Sequence, residues 1–186
     1  MRRTNPDLSD LTGAPALPYP AEDIIAALQE VVLPERLARL DEVAAARVSS
    51  VTVVLESVID PHNTAAVMRT SDAHGIGEVH MIEQGTKPLL AKRVTRGCER
   101  WMDVMIHGST PPCVEGLRAR GYELWLADMS GTATLEQVAL RPKVALVFGN
   151  EHLGASAEMR AACTGTFAVP MRGMVESLNV SVAAGI

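Results

Sequence analysis

The sequence predicts an α/β fold, a mostly parallel sheet with helices on both faces. Three observations carry this. Short β-branched or aliphatic runs recur along the chain, several of them continuously apolar, as in strands buried on both faces. Helix-like stretches separate these runs, the order expected of successive β-α-β units. The 186 residues, 47% hydrophobic and only 3% aromatic, suffice for one domain with an aliphatic core.

The elements follow in order. Residues 1–20 hold Pro6, Gly13, Pro15, Pro18 and Pro20 without periodicity and read as a loose arm. Residues 21–32 (AEDIIAALQEVV) and 35–48 (ERLARLDEVAAARV), the latter after Pro34, keep helical spacing at Leu37, Leu40, Val43 and Ala44. Strands are expected at 51–56 (VTVVLE), 78–83 (EVHMIE), 101–106, 122–128 (YELWLAD), 143–148 (KVALVF) and 166–169. Helices are expected at 63–74, ended by Gly75, then at 88–96, 111–120, 135–138 and 155–161. No internal repeat or low-complexity segment interrupts this order.

Composition excludes several function classes. Seventeen basic against 22 acidic residues give a net charge of -5, which does not advertise nucleic acid. Two each of Phe, Trp and Tyr are too few for a base-stacking platform. No apolar run reaches the length of a membrane span, and MRRTNPDLSDLTG lacks the apolar stretch of a signal peptide, so a cytoplasmic protein with no membrane partner is expected. Cys98, Cys113 and Cys163 are odd in number and widely spaced, which reads as reduced thiols. His62, His74, His80, His107 and His152 show no zinc-ligand spacing, so no metal is expected. The single GxG, Gly75-Ile76-Gly77, ends a helix and precedes a strand, the reverse of a dinucleotide-binding loop, and neither a P-loop nor GxSxG occurs.

Three segments look unusual for structure alone. The first, 60–70 (DPHNTAAVMRT), follows the first strand. Asn63 reads as an N-cap there. Arg69 lies among small and apolar residues, where an Arg pointing into packing must be paired; Asp72, three residues on, allows a plain surface pair instead. The second, 147–156 (VFGNEHLGAS), turns a buried strand into a loop carrying Asn, Glu and His between glycines, at the strand end where α/β sheets bind ligands. As a turn it would be unremarkable. The third, 169–184 (VPMRGMVESLNVSVAA), passes from strand through a Pro/Gly loop into a helix-like run. Ser177 would cap that helix, or the exposed N–H groups beside it would hold a ligand.

Together and in this order, DPHNTAAVMRTSDAHG, LVFGNEHLGAS and VPMRGMVESLNVSVAA resemble the three motifs of the SPOUT superfamily, in its SpoU branch of RNA 2'-O-ribose methyltransferases. The likeness runs from about Leu37 to the last residue. It is strongest to the tRNA (guanosine-18) methyltransferases of that branch, through the PHN opening, the MVESLNVSVAA ending and a short helical extension. The resemblance implies a Rossmann-like sheet whose C-terminal part forms a trefoil knot, with S-adenosyl-L-methionine bent in the knot, a tRNA substrate and a homodimer whose active site lies near the interface. It divides the chain into an arm and helical extension (1–48) that contacts tRNA and a catalytic domain (49–186). Relatives continue beyond VSVAA, so the last helix is expected to be cut short here.

By the same resemblance, the cofactor is held by Ala127, Gly149, Asn150, Glu151, Val169, Pro170, Met171, Ser177, Leu178 and Asn179. Catalysis falls to Arg69, with Asn63, Glu151, Ser177 and Asn179 arranging it. The resemblance gives Arg69 a part in removing the 2'-hydroxyl proton; because a guanidinium is a poor base, orienting a phosphate that takes the proton or stabilising the developing alkoxide are the alternatives to its acting as the base. Between Lys87 and Arg100, five basic residues (Lys87, Lys92, Arg93, Arg96, Arg100) face only Glu99, a local +4 in an otherwise acidic chain. This cluster reads either as an RNA contact, joined by Arg36 and Arg39 of the extension, or as a solvated helix face. The rival readings are a SpoU-type enzyme acting on ribosomal RNA or on the tRNA wobble ribose, and a non-catalytic RNA-binding relative.

Overall fold

A computed structural model describes residues 19–83, 95 and 97–186. Two helices lead, α1 (Ala21–Gln29) and α2 (Pro34–Ala45), and neither has a buried residue. Pro34 at the first turn of α2 starts it as the sequence suggests, since a missing N–H costs nothing there. The body then alternates: β1 (Val51–Glu56), α3 (Pro61–Ala73), β2 (Glu78–Ile82), β3 (Asp103–His107), α4 (Thr110–Ala119), β4 (Glu123–Ala127), α5 (Leu135–Ala139), β5 (Val144–Phe148), α6 (Ala157–Ala162), β6 (Gly165–Phe167) and α7 (Val180–Ala183). The helix expected at 88–96 falls almost wholly outside the described residues.

The six strands form one parallel sheet in the order β3-β2-β1-β5-β4-β6. Its faces are both covered, which explains the continuous apolar runs. Val53 and Leu55 of β1 pack with Val67 and Met68 of α3 and Val138 of α5, while Val54 packs with Cys113, Val114 and Leu117 of α4 and Met159 of α6. Fully burying a side chain such as Leu117 or Leu124 contributes about 1.5–3 kcal/mol. The strand order reverses between β1 and β5, which pair along their length. At such a reversal the connections leave in opposite directions and open a crevice at the strand C-termini.

Four local expectations are corrected. Asn63 is not the N-cap of α3: Pro61 takes the first turn, and the Asp60 side chain accepts from the His62 N–H at 2.8 Å, leaving Asn63 buried inside the helix. Ser177 does not cap α7; Asn179 does, accepting from the Ser181 N–H at 2.8 Å. The last strand runs 165–167 rather than 166–169. The helix expected from Ala155 starts at Ala157, because Ser156 caps it through the Met159 N–H.

Candidate active site

The site is built where β1, β5 and β6 end. After Phe148 the chain turns at Gly149, where a Cβ would lie 2.4 Å from the Ala155 nitrogen, so only glycine lets the loop double back this closely. Asn150 braces that loop. Its backbone pairs both ways with Gly154, its Oδ1 accepts from the N–H groups of His152 and Leu153 at 2.9 Å, and its Nδ2 donates to the Ser57 carbonyl at 2.8 Å. The loop after β5 is thus tied to the loop after β1, across the reversal of the sheet.

Glu151 makes the second tie. Its carboxylate accepts from the Ile59 N–H at 3.1 Å, the Asp60 N–H at 3.4 Å and Asn63 Nδ2 at 2.9 Å. Asn63 Oδ1 in turn accepts from Asn179 Nδ2 at 3.0 Å. One hydrogen-bond chain, Glu151 to Asn63 to Asn179, therefore joins residues from all three unusual sequence segments. Partial burial pushes the Glu151 carboxyl up, but hydrogen bonds from Asn63 and from backbone N–H groups, those of Ile59 and Asp60 among them, outweigh it, so it sits below the ordinary carboxylate value.

Nine of the ten positions expected to hold a cofactor line one cavity of about 480 Å³: Ala127, Gly149, Asn150, Glu151, Val169, Met171, Ser177, Leu178 and Asn179. Pro170 is exposed and does not line it. Phe148, Phe167, Val180 and Ala183 make the lining partly apolar. Over the β6 side lies the loop after β4, held by Asp128 N–H to the Phe167 carbonyl (2.9 Å) and Ala133 N–H to the Thr166 carbonyl (3.0 Å). A Cβ on Gly131 would lie 2.2 Å from the Phe167 carbonyl carbon, so this crossing also requires glycine.

Two carboxylates escaped the sequence reading. Asp128 lines the cavity, bonded by the Ser130 hydroxyl and N–H and by Arg160 at 2.6 Å, and these hold it down at about 2. Glu56 is 2% exposed at the end of β1 and accepts from the Ser156 N–H (2.8 Å) and hydroxyl (2.6 Å) and from Thr110 (3.1 Å). It fixes the far end of the 149–156 loop. An acidic residue ending an apolar strand was the available signal for both.

Arg69 departs from expectation. It lies on the exposed side of α3, outside the cavity lining, while Val67, Met68 and Ser71 face inward. Asp72 does not pair with it, because Arg47 takes that carboxylate at 2.8 Å and also donates to the Trp101 carbonyl at 2.7 Å. Among the described residues Arg69 has no hydrogen-bond or ion-pair partner. Of the expected RNA contacts, Lys87, Lys92, Arg93 and Arg96 lie outside the described residues. Arg36 lies over the half-exposed Trp101 ring at 5.8 Å, Arg39 pairs with Glu42 at 2.6 Å in the open, and Arg100 is exposed.

The chain matches the SpoU rRNA methylase family over residues 50–186. It is 34% identical over 152 residues to the tRNA (guanosine(18)-2'-O)-methyltransferase of Thermus thermophilus, covering 81% of this chain and 78% of that protein. With the Escherichia coli K12 protein of the same name it shares 32% over 154 residues, 82% of this chain and 67% of the other. The crystal structure of the A. aeolicus TrmH/SpoU tRNA modifying enzyme superposes with a TM-score of 0.73 at 30% identity, over 81% of this chain and 78% of that one. A match that begins at β1 and runs to the last residue, through all three segments that build the rim of the cavity, means that this chain belongs to the SpoU methylase family.

Proposed function

We propose that the protein is a tRNA (guanosine(18)-2'-O)-methyltransferase, moving a methyl group from S-adenosyl-L-methionine to a ribose 2'-hydroxyl in the D-loop. The observation that carries this reading is the Glu151–Asn63–Asn179 chain at the rim of the cavity, which needs all three motif segments in register. The residues fit the cofactor. A cavity of about 480 Å³ lies in the range of small-molecule sites, roughly 300–1,000 Å³. Its apolar lining suits an adenine ring, and Asp128 and Glu151, both held ionised, suit the cationic end of the molecule.

When bound, the cofactor supplies an already activated methyl group, so the reaction asks for positioning and for proton removal rather than for a metal. Gly149, Asn150, Val169, Met171 and Leu178 would hold the cofactor beside Ala127, with Pro170 shaping the loop from outside. Asn63, Glu151, Ser177 and Asn179 would orient the ribose. Arg69, always charged, would stabilise the alkoxide or fix a phosphate that accepts the proton. Its exposed position, without a partner among the described residues, is compatible with a homodimer in which a second chain adjoins it.

The trefoil knot is part of the same reading. β6 sits beside β4 at one edge, the 128–134 loop lies over it, and the chain returns to pack α7 against α3. Residues 1–48 and the 87–100 segment would contact the tRNA, with 49–186 catalytic and the whole protein cytoplasmic; no helix of the described residues is long and apolar enough to cross a membrane. The test is primer extension at low dNTP on unmodified tRNA incubated with protein and cofactor. A new stop at guanosine 18 is expected. A stop at the wobble position, or methylation of ribosomal RNA alone, would replace this substrate with another.

A further inference from the structure

Outside the cavity lining, three donors from three elements converge on the face covered by α4. They are His80 on β2, His107 at the end of β3 and Cys113 on α4, with ligand atoms all within 4.8 Å of one another. The sheet register brings the two histidines together: His80 pairs with Met105, so His107, two residues on, shares its face. His80 and Cys113 are buried, and His107 is half-buried on the edge strand. Linear spacing could not show this, because each donor comes from a different element.

What stands behind His80 is as informative as what stands before it. Its Nε2 meets the Glu78 carboxylate at 2.5 Å, and Arg120 grips that carboxylate with two hydrogen bonds of 2.6 and 2.7 Å. A carboxylate on one ring nitrogen fixes the tautomer and leaves the other nitrogen as a lone-pair donor, the arrangement found behind metal-bound histidines. Here the free donor is Nδ1, which faces the cluster. We propose that His80 Nδ1, His107 Nε2 and Cys113 Sγ bind one divalent ion of zinc-like softness, with water as the fourth ligand.

One hydrogen bond joins the two histidines. His107 Nε2 and His80 Nδ1 are 2.9 Å apart, with ring centroids 5.2 Å apart and planes 14° from parallel, so the rings lie end to end and His107 donates. Tetrahedral binding needs nitrogens about 3.3 Å apart and sulfur about 3.5 Å from each. The imidazoles therefore open by a few tenths of an ångström and the thiol closes in. His107, at the end of an edge strand, is the ring placed to turn. Its proton moves from Nε2 to Nδ1 and the Cys113 proton leaves to solvent, so uptake of one ion releases one proton. The ion ties α4 and β3 to β2, at both ends of the connection that carries the basic cluster, and takes no part in methyl transfer.

The test uses the full-length protein, stripped with chelator and titrated with Co²⁺ as a spectroscopic probe, with Zn²⁺ melts alongside. One equivalent of cobalt should produce a thiolate-to-cobalt charge-transfer band, and zinc should raise Tm with concentration. The band should vanish in Cys113→Ala, and His107→Gln, at a half-buried position that tolerates change, should lose the zinc-dependent shift. Absence of the band in folded wild-type protein overturns the proposal. So does a band that survives unchanged in both variants, since the ion would then sit elsewhere.

Discussion

The rim of the cavity and the N-terminal helices are both exposed, yet they are held in opposite ways. At the rim, Asn150, Glu151 and Asn63 spend nearly every polar atom on named partners, and the buried Glu56 pins the loop from beneath. In α1 and α2 no residue is buried. Among the described residues their attachments include Arg36 over Trp101 and, just after α2, the Arg47 clip on Asp72, Ile76 and Trp101 and the Val48 N–H to the Gly75 carbonyl at 2.8 Å. Exposure alone therefore says little about rigidity. The rim is positioned by the core of the sheet, whereas the extension is joined to it by a few polar contacts. Changes at the rim should alter chemistry, and changes in the extension should alter only RNA affinity.

The largest expected effect is that of Arg69→Ala. If Arg69 stabilises the alkoxide, as proposed, losing a charge that acts only in the transition state costs about 100- to 1,000-fold in rate. Because Arg69 lies outside the cavity lining, cofactor affinity should stay within a few fold. Single-turnover rates and calorimetry on the same protein check both halves. Equal losses in the two would make Arg69 a structural residue.

Glu151→Ala comes next. It removes the acceptor of the Asn63 amide and of two backbone N–H groups that water can reach, so a stability loss of about 0.5–1.5 kcal/mol is expected, beside a fall in rate of up to about 100-fold from misplacement at the rim. The acid response sharpens this. The Glu151 carboxyl is depressed in the folded protein, so its contribution is present above the ordinary carboxylate value and is lost as pH falls through the lower folded value. Glu151→Gln should remove that part of the acid dependence and leave the neutral-pH melt less affected than the alanine does. An unchanged acid limb in Glu151→Gln would mean that the rim carboxylate contributes nothing to it.

Much of this was legible in the chain, for identifiable reasons. Strands read correctly because both faces of the sheet are covered, which makes β1 and β5 continuously apolar. Asn63, Glu151 and Asn179 lie in the three unusual segments, and their site roles come from the resemblance that those segments carry together. What failed was the choice among neighbouring polar groups. Asp60 and Asn63 both could cap α3, and Pro61 decides for Asp60. Ser177 and Asn179 both could cap α7, and Asn179 wins while also reaching Asn63. Asp72 lies three residues from Arg69 on one helix, yet Arg47, 25 residues away, holds it from outside the helix. Local spacing cannot rank a partner that only the tertiary fold delivers, and the meeting of His80, His107 and Cys113 was invisible for the same reason.

On the RNA side, replacing Lys92, Arg93 and Arg96 together by Ala should weaken tRNA binding and reduce the slope of log affinity against log salt. Each lost phosphate contact removes about 0.7–0.9 of a released counterion, so a change of about two to three is expected if all three touch phosphate. Cofactor affinity should not move. An unchanged slope would make the cluster a solvated face and pass the RNA to the extension around Arg36 and Arg39.

The smallest effect separates the extension from the rim most cleanly. Arg39 and Glu42 form a 2.6 Å pair three residues apart, each side chain 67% exposed. A pair this open contributes at most about 0.5 kcal/mol, because water screens it and two long side chains must be held still. Arg39→Ala should therefore leave Tm almost unchanged. If Arg39 contacts phosphate, it must leave Glu42 to do so, and the pair then competes with RNA. Arg39→Ala should lower the salt slope by about one, while Glu42→Ala, which frees the guanidinium, should tighten tRNA binding by a few fold at low salt. Both effects on affinity should shrink as salt rises, because log affinity falls linearly with log salt at a slope set by the number of phosphate contacts. If Glu42→Ala instead weakens binding, the pair orients α2 rather than restraining it, and the extension would be positioned in the same way as the rim.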